Sequence, residues 1–339
     1  MKKNDGDSQD TSYLMKELEK EAKDAEQRIR PHIRETPAEP SLYLGQVAAC
    51  EVFLKLENLQ ITGSFKLRGA MNKVLSLSQG ELERGVITAS SGNHGAAFAY
   101  LMDRFGLKGT IFLPETASEP KLESLRYYDI NLELYGHDCI LAETAARQAA
   151  LERDQQFISP YNDPKIIGGQ ATIGIELLSQ LNRIDAVFVP IGGGGLISGI
   201  AGYLKAADVK TAIVGCQPEN SPVMYESIRA GHIIDMESKP TISDGTAGGI
   251  EKNAITFDIC RALVDEYVLL SEDEIKDAIR LMLQKHYMLI EGAAALSVAA
   301  FLKTKNRYAG KRVVLIISGA KISQGQLREV LCGGETAET

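Results

Sequence analysis

Four short stretches carry residue types that could act together on a small ligand. In "ITGSFKLRGAMNKV" (Ile61 to Val74) one lysine, Lys66, sits among Gly63, Ser64 and Phe65, where a strand-like run gives way to a helical one. A solvated surface lysine needs no such setting, whereas an amine nucleophile has to be aimed and desolvated. "IGGGGLISG" (Ile191 to Gly199) places four glycines between an apolar run and a helical one. Glycines let several backbone N–H groups turn to one point, and a helix start adds partial positive charge. Gly192, Gly193, Gly194 and Gly195 therefore suit a phosphate, and a plain tight turn would need only one of them. "SSGNHG" (Ser90 to Gly95) has the same context. Its N–H groups could hold a carboxylate and Asn93 a ring hydroxyl, or Ser90, Ser91 or Asn93 could simply cap the next helix. "ISGAK" (Ile317 to Lys321) puts the Ser318 hydroxyl where it could meet a heterocyclic nitrogen, or serve as a turn serine. His94 is assigned to structure, since an acid or base needs partners that the sequence does not place.

Two nucleotide readings of the glycines fail. A dinucleotide fingerprint wants an acidic residue at the end of the next strand, where Gln217 stands, and no Gly-Lys-Ser/Thr follows for a P-loop.

The elements that would position these groups alternate. The spacing predicts strands at 52–57, 85–90, 109–114, 132–136, 185–191, 211–217 and 311–318, with helices between them, including Lys66 onward, His94 to Phe105 and Leu196 to Ala206. Lys311 to Ser318 is almost wholly apolar, as a strand covered on both faces would be. Such alternation implies an α/β protein of parallel sheets, with its ligand beyond the carboxyl ends of the strands. Ahead of it the first ten residues are expected to be disordered. Thr11 to about His32 is expected to be helical, ended by Pro37 and Pro40.

Composition narrows the class. A chain of 339 residues with 44% apolar and 24% charged residues is an ordinary globular protein with room for two domains. A net charge of −8 and the lack of a Lys/Arg block argue against nucleic acid as partner. The five cysteines are scattered without a C-x-x-C pair, which fits a reducing, cytoplasmic setting and argues against a metal centre built on cysteine. The start is polar, unlike a signal peptide, and the uncharged run 186–203 holds Pro190 and six glycines, so no membrane span is expected.

Taken together, "SFKLRGA", "SSGNHG", "GGGGLISG", "TISDGTAGG", "EGAAA" and "SGAK", in their order along the chain, resemble the fold-type II pyridoxal-phosphate enzymes, and within them the serine/threonine dehydratase and serine racemase group. The resemblance runs from about Ile33 to Leu331. It implies the tryptophan synthase β-like fold, two parallel-sheet domains with the active site between them. Residues 1–84 and 160–339 would form a large cofactor-binding domain and 85–159 a small mobile one, with no C-terminal regulatory domain and a homodimeric assembly. It implies that Lys66 holds pyridoxal 5'-phosphate as a Schiff base with Phe65 against the ring. Asn93 would meet the ring hydroxyl, Ser318 the ring nitrogen, and Gly192, Gly193, Gly194, Gly195 and Leu196 the phosphate. The substrate carboxylate would lie on Ser90, Ser91, Gly92, Asn93 and His94.

The activity implied is that of an ammonia-lyase: β-elimination of water from a 3-hydroxy amino acid, L-threonine, L-serine or a bulkier one, to a 2-oxo acid and ammonia. Lys66 would take the Cα proton. Ser318, unlike an aspartate, would leave the ring nitrogen largely neutral, and a weaker electron sink suits prompt loss of a leaving group. An amino-acid racemase is the near alternative, because Ser91 matches the position that supplies the second acid or base in racemases, although dehydratases can also have serine there. A non-catalytic binder of a phosphorylated ligand is the alternative from another class. Two departures from the family pattern stand out. Gln217 and Val223 occupy positions where some relatives place carboxylates for magnesium or calcium, so no metal is expected and Glu219 is not expected to substitute. Lys321 replaces the commoner asparagine.

Overall fold

The computed structural model describes residues 5–117, 119–207 and 210–332. Among them ten strands form two sheets. The larger contains β1 (Ala38–Pro40), β2 (Glu51–Lys55), β7 (Ala186–Pro190), β8 (Ala212–Pro218), β9 (Glu266–Leu270) and β10 (Arg312–Ile316), in the order β1-β2-β10-β7-β8-β9. The smaller contains β3 (Val86–Ala89), β4 (Gly109–Leu113), β5 (Asn131–Leu134) and β6 (Gln156–Phe157), in the order β5-β4-β3-β6. Every pairing is parallel except that of β1 with β2. The α/β architecture with two parallel sheets is the one expected. All strands of the smaller sheet lie within residues 86–157.

The central strands are apolar on both faces because helices cover both. Val313 to Ile317 and Ala186 to Val189 are fully buried. Since the strands are parallel, their carboxyl ends fall on one side, and there β2 leads to Lys66, β7 to the glycines and β10 to Ser318.

Three strands were not foreseen. β1 forms where the proline-rich stretch was expected only to end a helix, and as an antiparallel edge strand it tolerates Pro40. β6 has two residues, too few for periodicity to register, and β9 is a half-buried edge strand between two helices. The N-terminal helix spans Asp5–Ile29, with a 3-10 turn at Arg30–His32. Six of the ten residues expected to be disordered, 5–10, are thus helical at the backbone level, and residues 1–4 lie outside the described residues.

The helix that begins at Lys66, Lys66–Leu75, crosses the helix Pro164–Gln180 almost backbone to backbone. A Cβ on Gly169 would come within 2.4 Å of Arg68 O, and one on Gly69 within 2.5 Å of Gln170 Nε2. This approach brings Glu176 to Arg68. The Arg68 guanidinium, fully buried, donates to Glu57 at 2.7 and 2.8 Å and to Glu176 at 2.7 and 2.8 Å. Lys55 Nζ, also fully buried, reaches Glu176 Oε2 at 2.5 Å, and Arg30 reaches Glu176 Oε1 at 2.7 Å from the N-terminal helix. Thr36 Oγ1 donates to Glu57 at 2.5 Å.

Removing one partner of such a cluster leaves the others buried and uncompensated, which costs about 3–5 kcal/mol. Arg68→Met should therefore lower the free energy of unfolding by about that amount in urea titrations; a change under about 1 kcal/mol would show that the cluster is not a stabilising unit. Burial alone would raise the Glu176 carboxyl, but Arg68 and Lys55 outweigh it and hold it at about 2, below the ordinary 4.5. Its stabilising contribution is then complete above pH 4.5 and is lost as the pH falls towards 2. In that window the wild type should lose stability more steeply than Glu176→Gln.

Candidate active site

The loop carrying Lys66 is stitched to the loop after β10. Ser64 and Gly319 form an isolated antiparallel bridge, with Phe65 N donating to Ser318 O at 3.1 Å and Ala320 N to Gly63 O at 3.0 Å. Gly63 takes φ +77° in this turn, a conformation that side chains disfavour. Lys66 and Ser318 are thereby set side by side although the sequence separates them by most of the chain. Lys66 Nζ donates to Pro160 O at 2.8 Å and lies 5.2 Å from the centroid of the Phe65 ring. Burial lowers its pKa to about 8 against the opposing pull of Glu291. A lysine so placed carries a substantial neutral fraction near physiological pH, as a nucleophile or base requires.

Three buried polar atoms around it have no partner among the described residues: Ser318 Oγ, Ser64 Oγ and Asn93 Oδ1. Buried polar atoms are normally satisfied, so a cluster of three beside a desolvated amine marks a place for a polar ligand. Asn93, which opens the helix Asn93–Phe105, is held from the other side. Its Nδ2 lies 2.9 Å from both carboxylate oxygens of Glu291. Glu291 is 4% exposed, precedes the helix Gly292–Thr304, and accepts from Lys321 N at 3.1 Å. A Cβ on Gly319 would come within 2.4 Å of Glu291 Oε1, so the loop that presents Ser318 also packs on this carboxylate.

Glu291 was missed as a site residue by sequence reasoning. Its signal is a lone carboxylate in the otherwise apolar run 287–301, where only a specific partner justifies a charge.

The glycine run turns as expected from the end of β7 into the helix Gly195–Ala207, whose first N–H groups have no partner from a preceding turn. Gly194 has φ +89°. Gly193 admits no side chain: a Cβ there would lie 2.5 Å from the Tyr161 ring. Thr256 Oγ1 donates to Gly193 O at 2.7 Å, which satisfies that carbonyl. Leu196 is 5% exposed in the core, so only its backbone can face a ligand. Tyr161 links the cradle to the lysine, because its ring lies against Gly193 and it follows Pro160, whose carbonyl takes Lys66 Nζ; its hydroxyl accepts from Glu251 N at 2.8 Å. This residue, too, gave no signal in the sequence.

In "SSGNHG" the capping alternative fails. The N-cap position is Gly92 and no side chain caps the helix. Ser90 Oγ instead accepts from Gly92 N at 3.2 Å, and Ser91 is half-buried. Of the residues expected to receive a carboxylate, Gly92 has its N–H engaged by Ser90, while Ser91, Asn93 and His94 stand at the helix start. His94 is structural, as expected: its Nε2 lies 3.1 Å from Ile158 O, and burial, with Lys66 nearby, pushes its pKa down to about 3. The neutral ring donates to that carbonyl.

Comparison with known proteins decides what ligand this arrangement serves. The family model for "Pyridoxal-phosphate dependent enzyme" matches residues 29–319. The chain belongs to that family. It is 38% identical over 313 residues to an L-threonine ammonia-lyase of Thermotoga maritima, covering 92% of this chain and 77% of that one. Among solved structures it superposes with TM-score 0.89 on processed threonine deaminase isoform 2 of Solanum lycopersicum, at 33% identity, covering 93% of this chain and 87% of that one. Maize serine racemase superposes with TM-score 0.86 at 30% identity, covering 93% and 97%. The fold is that of the fold-type II pyridoxal-phosphate enzymes, and the cofactor is pyridoxal 5'-phosphate.

The residues fit that cofactor. A desolvated amine, a glycine cradle at a helix start, and the orphaned Ser318 Oγ and Asn93 Oδ1 offer separate partners for an aldehyde, a phosphate, a ring nitrogen and a ring hydroxyl. The region where some members of the family hold a divalent cation is built differently. Gln217 Oε1 accepts from Tyr225 N at 2.8 Å and so caps the helix Val223–Ala230. Val223 packs in the core, and Glu219 lies 3.8 Å from Lys303.

The lowered pKa of Lys66 carries a prediction. Covalent uptake of pyridoxal phosphate by cofactor-free protein should speed up as the pH rises through about 8 and level off above it, followed by the growth of visible absorbance. Lys66→Ala should abolish the fraction fixed by borohydride. Fixation persisting in Lys66→Ala would place the attachment elsewhere.

Proposed function

We propose that the protein is a pyridoxal-phosphate-dependent ammonia-lyase that dehydrates and deaminates a 3-hydroxy amino acid such as L-threonine or L-serine to a 2-oxo acid and ammonia. The observation that carries this reading is the desolvated Lys66 amine flanked by a buried serine hydroxyl in place of an acid. In support stand the named activities of the relatives, a threonine ammonia-lyase and a threonine deaminase.

In this reading the N–H groups of Ser91, Asn93 and His94 receive the substrate carboxylate and fix its Cα over Lys66. Bound pyridoxal phosphate supplies the electron sink that makes the Cα proton removable. Lys66 would hold the cofactor through its ε-amine and, as a free amine, would take that proton as a general base. Phe65 would wall the ring, Ser318 would pair with the ring nitrogen as a neutral hydroxyl, Asn93 would meet the ring hydroxyl, and Gly192 to Leu196 would hold the phosphate. The Cβ hydroxyl would leave as water with the proton that Lys66 took from Cα, and hydrolysis of the product enamine would give the oxo acid and ammonia.

Residues 85–159 are read as a small mobile domain closing against 1–84 and 160–339. The contact that would form and break is Arg147 with Glu251 at 2.8 Å. A homodimer is supported by exposed Leu42 and Tyr287, whose segments meet through Ser41 Oγ and His286 Nε2 at 3.1 Å. A cytoplasmic setting is supported by five free cysteines. No helix among the described residues is long and apolar enough to cross a membrane.

The half-buried Ser91 beside the carboxylate position keeps amino-acid racemisation as the second reading. A panel of 3-hydroxy amino acids, small and bulky, assayed for oxo-acid release with chiral analysis of the remainder, separates the two. Oxo acid is expected, with L-threonine or L-serine the better substrates and at least a 10³-fold loss of turnover, in order of magnitude, for Lys66→Ala. Inverted amino acid without oxo acid would establish the racemase. A visible band with neither product would leave a binder.

A further inference from the structure

Glu291 holds Asn93 in an arrangement that restricts what Asn93 can offer a ligand. A carboxamide has one donor end and one acceptor end. Here the donor end, Nδ2, is 2.9 Å from both oxygens of the Glu291 carboxylate, while the acceptor end, Oδ1, is buried without a partner. Two accepting oxygens belong to an ionised carboxylate. A protonated one has a hydroxyl to donate, and the acceptor it would find is Asn93 Oδ1 after the amide turns over. The proton on Glu291 and the orientation of Asn93 are thus one variable.

We propose that Glu291 is a positioning residue that, through the orientation of the Asn93 amide, sets whether the cofactor's ring hydroxyl keeps its proton. This rests on the site reading proposed above, in which Asn93 meets that hydroxyl. With Glu291 ionised, Asn93 presents Oδ1 and accepts from a protonated ring hydroxyl. With Glu291 protonated, Asn93 presents Nδ2 and donates to a ring oxygen that has lost its proton. The two forms contain the same number of protons. One group releases a proton to solvent as the other takes one up, and Asn93 rotates without transferring any. Removing the last proton from the pair is disfavoured, because Asn93 can donate to only one of the two oxyanions.

Groups facing Glu291 come from every element around it. Lys66 lies on the lysine helix, Lys321 on the loop after β10, and Asp244 on the turn Asp244–Thr246, while Asn93 and Lys321 N donate to its oxygens directly. Burial raises the Glu291 pKa to about 7, Asp244 adds to this, and Asn93 and Lys321 oppose it. The carboxyl is therefore placed to exchange its proton in the range where the enzyme would work. Lys321 has an account in these terms: its backbone fixes one oxygen, and its charge, also near Glu291, favours the ionised form.

The test is the pH dependence of the visible absorbance of pyridoxal phosphate bound to wild type, Glu291→Gln and Asn93→Ala, with cofactor affinity measured alongside. Taking one negative charge away from a nearby acid lowers its pKa by about 1–3 units. The spectral transition in Glu291→Gln should move to lower pH by that amount, and Asn93→Ala combined with Glu291→Gln should move it no further than Glu291→Gln alone. Where Glu291→Gln does not fold, Asn93→Ala is read against wild type: it keeps the Glu291 charge and loses the donor to the ring oxyanion, so its transition should move to higher pH, and an unmoved transition would overturn the inference. Profiles that superpose on wild type, with only cofactor affinity reduced, would overturn the inference and leave Glu291 a purely structural support. Wild type that forms no visible band at all would refute the cofactor site itself.

Discussion

The structure depends on a buried set of charges, with Arg30 at its half-buried rim. Arg68 stands two residues after Lys66, on the same first helical turn, and its guanidinium is clamped between Glu57 and Glu176. Those two carboxylates come from the turn after β2 and from the helix packed against the lysine helix, and Glu176 also takes Lys55 and Arg30. One buried node therefore fixes the end of β2, the start of the lysine helix, the neighbouring helix and the N-terminal helix relative to each other. An apolar core would be as stable, or more so, but would not specify the rotation of the helix as a forked, bidentate pair does. For a lysine whose ε-amine has to meet one atom of a ligand, that rotation is the quantity that matters.

On the ligand side the logic is reversed. Behind Lys66 every charge is paired, whereas around Lys66 the groups are polar and mostly neutral: Ser64, Ser318, Asn93 and an uncharged His94. Glu291 is the nearby exception. It stands at the seam where helix Asn93–Phe105, the turn Asp244–Thr246 and the loop after β10 converge. Since it pulls the Lys66 pKa up while burial pulls it down, it keeps the amine from losing its charge altogether.

Much of this was legible in the sequence because it lay in local pattern. Alternating apolar runs announced the parallel sheets, and Lys66, the glycine run and Ser318 stood at strand ends, where periodicity breaks off into glycine and serine. β1 and β6 were not legible. Their three and two residues are strands only because β2 and β3 lie alongside, and no residue in them says so. Glu291 and Tyr161 were invisible for a related reason. Each acts through a residue distant in the chain, Asn93 in one case and Gly193 in the other, and spacing carries no record of such a meeting. The competing roles of "SSGNHG" could be separated only by geometry, since a serine that caps a helix and one that leaves its start open have the same local sequence.

Gln217 shows how a change of one atom redirects a whole corner of the fold. A carboxylate at the end of β8 would have to be paired or to bind a cation, because at 1% exposure it could not stay charged alone. The amide needs neither. Its oxygen takes Tyr225 N at 2.8 Å, satisfying one of the orphan donors at the start of helix Val223–Ala230, and Val223 fills apolar space with the core residues around it. Met224, on the same turn, approaches Gly194, since a Cβ on that glycine would come within 2.9 Å of its terminal methyl. The helix that Gln217 caps therefore backs the glycine cradle, and the cap supports the cradle by covalent chain and packing alone.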